Sequence, residues 1–135
     1  MATGSKNLIT ETLTAASAMS AASQQFCVVK LVTGRKVVPV TAETDIPFGV
    51  LQNSPGEGQP ALVAVAGHTK IRVGATDLAD TAILGVDATA RARALTAGTG
   101  TTIYVLGRVL DVDASDNDGG LVSALIDCRA PHRNA

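Results

Sequence analysis

The sequence predicts an all-β fold, a small closed or nearly closed antiparallel barrel or sandwich in a single domain. Three observations carry this. Apolar residues recur in short runs of strand length, several with strict alternation; Gly-, Pro- and Asp-rich turns separate the runs; and no sustained strand–helix–strand alternation indicates a doubly wound sheet. At 135 residues the chain fits one domain of ordinary size, which buries roughly two-thirds of its unfolded surface.

The first 25 residues, MATGSKNLITETLTAASAMSAASQQ, are crowded with Thr, Ser and Ala. Ile9, Leu13, Ala16 and Met19 fall near a helical spacing, but the stripe is thin and no competent cap precedes it. The expectation is an N-terminal arm over residues 1–25, flexible or ordered only when something covers it, with an ordinary frayed terminus as the alternative. The β domain then spans 26–135. FCVVKLV runs into the turn Thr33-Gly34-Arg35, and KVVPVT follows, with Pro39 marking an edge strand or a bulge. IPFGVLQ leads into the loop NSPGEGQP, whose glycines permit positive φ while its prolines interrupt ladder bonding. In ALVAVAGHTKIRVG the second half is strictly alternating: His68, Lys70 and Arg72 share one face, and Thr69, Ile71 and Val73 the other. AILGVDATARARAL, TIYVLGRVLDVD and LVSALIDC complete the set, the last two joined by the polar turn ASDNDGG.

Composition removes several function classes. Hydrophobic residues make up 46% of the chain and aromatic ones 2%, so the core is built from Val, Leu, Ile and Ala, and Phe26, Phe48 and Tyr104 are the only rings. Single-stranded nucleic acids are held on aromatic platforms in basic grooves. With scattered Lys and Arg and a net charge of −1, neither feature is present, and no nucleic-acid partner is expected. The opening residues lack a basic start followed by an unbroken apolar segment, so no secretory signal is read. No run of about eighteen apolar residues predicts a membrane span. Cys27 and Cys128 each sit in an apolar run near opposite ends of the chain; free buried thiols are expected, with a bridge between neighbouring first and last strands as the alternative.

Candidate motifs weaken on inspection. Gly56, Gly58 and Ala61 in GEGQPA, with Asp77 further on, imitate a dinucleotide fingerprint. That fingerprint needs a helix opening at the loop to aim amides at pyrophosphate, and the residues that follow alternate as a strand. The turn DVDASDNDGG crowds Asp111, Asp113, Asp116 and Asp118 together, yet Asp116 and Val122 stand where a calcium loop needs Gly and Glu. A solvated hairpin turn is the reading. His68 and His132 are the only histidines, and no Cys or His pair has zinc spacing. No assembled set of nucleophile, base and oxyanion donors is visible, so no enzyme, cofactor or metal site is expected.

Read as one phrase, IPFGVLQNSPGEGQPALVAVAGHTKIRVGA resembles the capsid cement or decoration proteins of tailed phages, the DUF2190-like group. Gly49, Val50, Leu51, Gln52 and Asn53 match its hairpin, as do Pro55 and Gly58, while Gln59 stands where Glu is usual. AILGVDATARARAL, VLGRVLDV and LVSALI are similar to its later strands. The resemblance implies a β-barrel or β-tulip-like domain, often a homotrimer, on the outer surface of an icosahedral head. The implied function is a structural virion protein, made in the host cytoplasm, that binds the assembled capsid and cements neighbouring major capsid protein subunits against DNA pressure. On this reading the contacts come from Leu8, Ile9 and Leu13 of the arm and from the loop Asn53, Ser54, Pro55, Gly56, Glu57, Gly58 and Gln59, and the arm adds a strand to an exposed edge of the coat. No membrane or small-molecule substrate is implied. A barrel binding a small apolar ligand or sugar is the alternative, and a hydrolase using His68 is the third class considered.

Overall fold

The structure, a computed structural model, describes residues 8–74, 83–95, 100–111 and 120–134. Among them are eleven strands and one 3₁₀ turn, Ala22–Gln24, with no α-helix. The all-β expectation holds, and the architecture is a closed five-stranded barrel with further strands built onto it.

The barrel runs β1 (Ile9–Ala15), β3 (Lys36–Pro39), β2 (Val28–Val32), β4 (Gly49–Leu51) and β5 (Pro60–Arg72), and closes because β5 pairs back onto β1. Only the β1–β3 pairing is parallel within this ring. The β2–β3 hairpin turns where expected, with Gly34 and Arg35 both at positive φ. Pro39 lies at the end of β3, beyond the two residues that β1 pairs with, where a missing N–H costs nothing.

The expected arm is corrected here. Residues 9–15 form a barrel strand hydrogen-bonded on both sides, Leu13 and Ala15 are buried, and Met19 is fully buried in the barrel core. The helical spacing was misleading, because a period of two also runs through this stretch. Thr10, Thr12 and Thr14 face outward and alternate with Glu11, Leu13 and Ala15, the pattern that β-branched residues favour on a pleated surface. Glu11, exposed but on the same side of the strand as Leu13 and Ala15, disguised it. Residues 1–7 lie outside the described residues.

Thirteen residues long, β5 continues past the barrel into a second sheet. Its far half pairs antiparallel with β10 (Leu121–Asp127), followed by β9 (Gly107–Asp111), β6 (Ile83–Val86) and β7 (Ala92–Leu95). A parallel bridge from Val73 to Ala92 brings β7 back to the end of β5. A separate ribbon joins β8 (Gly100–Val105) to β11 (His132–Asn134).

Two cores result. Leu13, Met19, Val29, Val37, Leu51 and Val63 fill the barrel, while Val28, Val50 and Ala64 on its outer wall pack with Ile71, Val73, Leu84, Val122 and Ile126 of the second sheet. Strands buried on both faces read as nearly continuous apolar runs, which accounts for FCVVKLV and ALVAVA. Ala64 and Ile71 share a core although their separation is odd, so the alternation must slip by one residue between them. Gly67, with φ +113°, lies in that interval, in a conformation other residues avoid. Gly49 is needed for a different reason: a Cβ there would overlap the Ala64 carbonyl oxygen.

Cys27 and Cys128 are free and buried in the second core. Burial, with a smaller contribution from the Asp127 charge, pushes the Cys128 thiol up to about 12. Burial also raises the Cys27 thiol, against the nearby Arg72 and Arg91 charges. Both thiols are therefore expected to react with Ellman's reagent only after denaturation; fast labelling of the folded protein would contradict this packing. Met19→Ala is expected to lower stability by about 2–5 kcal/mol, the usual cost of emptying a core position. A urea titration checks this, because a residue of a dispensable arm would leave the midpoint unchanged.

Candidate functional site

The loop after β4 is rigid because its own residues replace the ladder bonds its prolines interrupt. Pro60 has no N–H to offer, and the Asn53 side chain completes the pairing instead: its Nδ2 donates to the Pro60 carbonyl at 3.0 Å and its Oδ1 accepts the Leu62 N–H at 3.0 Å. Gln59 Oε1 accepts the Gly56 N–H at 2.8 Å. The loop is then fastened to the end of β1. Ala15 donates to the Gln59 carbonyl, Gly58 to that of Ala15, and Met19 to that of Pro55, at 2.8–2.9 Å. The hairpin closes one end of the barrel over Met19.

The predicted contact residues divide accordingly. Ser54, Glu57, Gly58 and Gln59 are exposed, Gly56 and Asn53 are half-buried, and Pro55 is buried. Leu13 is buried on the inner face of the barrel; Leu8 packs partly against the second core, and Ile9 is exposed. Leu8 and Ile9 are not brought together with the loop. Ile9 pairs with Ala66 at one end of β1, while Thr14 pairs with Pro60 beside the loop, about 17 Å away at 3.3 Å per residue.

The basic face of β5 is committed to structure. The Arg72 guanidinium donates to the Ala22 and Gln25 carbonyls at 3.2 Å, and the Lys70 ammonium sits 5.8 Å above the Phe26 ring. Together they hold residues 22–26 against the strand. The GEGQPA loop leads into a strand, not a helix, so it lacks the amide geometry of a dinucleotide site. Asp77 and the turn residues Asp113, Asp116 and Asp118 lie outside the described residues. Among the described residues no group of three or more His, Cys, Asp or Glu is placed to hold a metal.

The barrel's other end is open. Leu13, Leu31, Ile46, Phe48 and Val65 line a groove of about 670 Å³, with Glu11, Arg35 and Arg129 at its rim. A second groove, of about 500 Å³, is lined by Ile83, Leu106, Arg108, Leu125 and His132. The segment from Asp127 to Pro131 stands between them, contributing Asp127 to the second groove and Arg129 to the first. Its turn is tied by Asp127 Oδ1, which accepts from the Arg129 N–H at 3.1 Å and from its guanidinium at 3.2 Å. These bonds hold the Asp127 carboxyl below the usual carboxylate range. Sequence reasoning missed both grooves, since their walls come from segments far apart in the chain.

Ile46 is presented at the first groove by a loop organised around Asp45. Its Oδ2 accepts from the Lys30 ammonium at 2.9 Å and from the Thr41 and Ala42 N–H groups at 3.0 Å. Burial alone would raise this carboxyl, but the Lys30 and backbone hydrogen bonds together hold it below its usual value of 3.8. A depressed folded-state pKa means that the carboxylate's contribution is fully present above pH 3.8 and is lost as pH falls through the folded-state value. Asp45→Asn is thus expected to cost about 1 kcal/mol near neutrality, with the difference from wild type shrinking in more acidic solution. Urea midpoints across the pH range measure it, and a pH-independent difference would assign the effect elsewhere.

No family model matches the chain, and no curated protein matches it. Among solved structures, the chain is similar to the head fiber gp8.5 N base of bacteriophage phi29, at 17% identity over 90% of this chain and 95% of that one, with a TM-score of 0.63. The likeness is one of fold, and it spans nearly the full length of both chains.

Proposed function

We propose that this protein is a structural component of a tailed-phage head, binding the outer surface of the assembled capsid and cementing neighbouring major capsid protein subunits. The observation that carries the reading is the shared fold with a head fiber base over nine-tenths of the chain, and the hairpin phrase from Gly49 to Gly58 supports it independently. The mechanism is linkage. A protein that binds only the assembled lattice lowers that state's free energy by RT ln(1 + [L]/Kd), and so resists rupture by packaged DNA. No step in this action is catalytic, and no cofactor enters it. Rigid loops suit it, because a surface already ordered loses little conformational entropy on docking. A homotrimer would add avidity, letting each contact be modest.

One observation favours a second reading: the barrel's open, apolar mouth has the size of a small-ligand pocket. Stabilisation by a small apolar compound in a thermal-shift screen would support that reading.

Co-sedimentation with mature heads lacking the protein, beside immature heads, tests the proposal. Saturable binding to mature heads, together with a raised temperature of DNA release, is the expected result. Absence of binding to any head would overturn it.

A further inference from the structure

We infer that the end of the molecule carrying the two grooves is the docking face, and that its partner is a protein surface of aliphatic side chains with an acidic rim. This rests on the cement reading and assigns the partner surface to the coat lattice.

Seven large hydrophobic side chains are exposed among the described residues, and four of them, Leu31, Ile46, Ile83 and Leu125, line these two grooves. Leu31 and Ile46 are about half exposed, at 52% and 49%. Both grooves flank the single segment from Asp127 to Pro131, so the four residues belong to one surface rather than to scattered positions. Ile83 and Leu125 are each register partners of Arg108, one from either side, which sets a cation between two aliphatic side chains. Concentration of apolar surface in this way marks an interaction site.

Charge selects the partner. Asp127 and Arg129 neutralise each other at 3.2 Å. Of the other charged side chains lining the grooves, Glu11, Arg35 and Arg108 make no hydrogen bond or ion pair among the described residues. Two guanidiniums therefore face one carboxylate, on a chain whose net charge is −1. Covering this face with a purely apolar body would desolvate those guanidiniums without compensation. A partner with carboxylates placed beside its aliphatic groups satisfies both requirements. A second copy applied through the same face would set concavity against concavity and repeat the cationic excess. Nucleic acid would leave the apolar floors uncovered.

The test is head binding by variants at exposed positions, each first shown by thermal unfolding to be as stable as wild type. Ile46→Asp, Leu125→Asp and Arg108→Glu are each expected to weaken co-sedimentation with mature heads by about tenfold or more. Leu62→Asp, at an exposed apolar residue outside both grooves, is expected to bind as wild type. Wild-type-like binding by the three groove variants would overturn the inference and leave the cement function standing. Failure of the wild type itself to bind heads would overturn both. Sedimentation velocity covers the remaining occupant: self-association of the wild type that the same three substitutions abolish would make this face an interface between copies, and would overturn coat docking.

Discussion

Strand β5 must serve two sheets at once, and the rest of the molecule is arranged around that requirement. Its first half closes the barrel between β1 and β4, and its second half carries β10 and the sheet beyond. Both faces are covered over much of its length, so the strand can expose little polar surface and has little room for bulk. Alanine and valine at positions 61 and 63–66 meet both conditions. The near absence of aromatic residues follows from the same geometry. A five-stranded ring encloses only enough space for side chains of the size of Val, Leu and Met, and Phe48 sits at its margin rather than inside.

Sharing one strand also requires a change of face. The side chains that point into the barrel in the first half would, with uninterrupted alternation, point away from the second core in the other half. The slip falls where the β1 register shifts opposite residues 64–66, next to Gly67 at positive φ. It lies beside the residues where β1 ends and β10 begins its pairing: Ala66 is the register partner of both Ile9 and Asp127. The junction of the two sheets is therefore also where the open mouth of the barrel meets the ridge of residues 127–131. The fold has one end sealed by its own hairpin and another left open by the divergence of its sheets.

That asymmetry gives the functional reading its physical content. At the sealed end, the Asn53 and Gln59 side chains and the backbone of residues 15–19 tie the loop down through internal hydrogen bonds, giving a stiff tip. The open end carries Glu11, Arg35 and Arg108, which make no hydrogen bond or ion pair among the described residues, beside four of the seven exposed large aliphatic side chains. Binding energy of the kind a cement requires comes from burying apolar surface with matched charge at its edge. The open end combines the two.

The sequence by itself determined the all-β class, the strand runs between residues 26 and 128 among the described residues, the faces of residues 68–73, the turn at Gly34 and the two unpaired thiols. Each of these depends on local alternation, turn chemistry or composition. It did not determine the break of TIYVLGRVLDVD at Leu106 or the strand at His132–Asn134. The tertiary structure alone decided that residues 9–15 complete the barrel, where the alternation slips, and where the grooves lie. A strand's period says which of its faces is apolar but not which distant strand it meets, and β1 earns its place through partners more than twenty residues away on one side and more than forty-five on the other. The grooves are still less local. Leu31, Ile46 and Val65 share a wall with Arg129 only because the ring closes, so no short stretch of the chain could announce them.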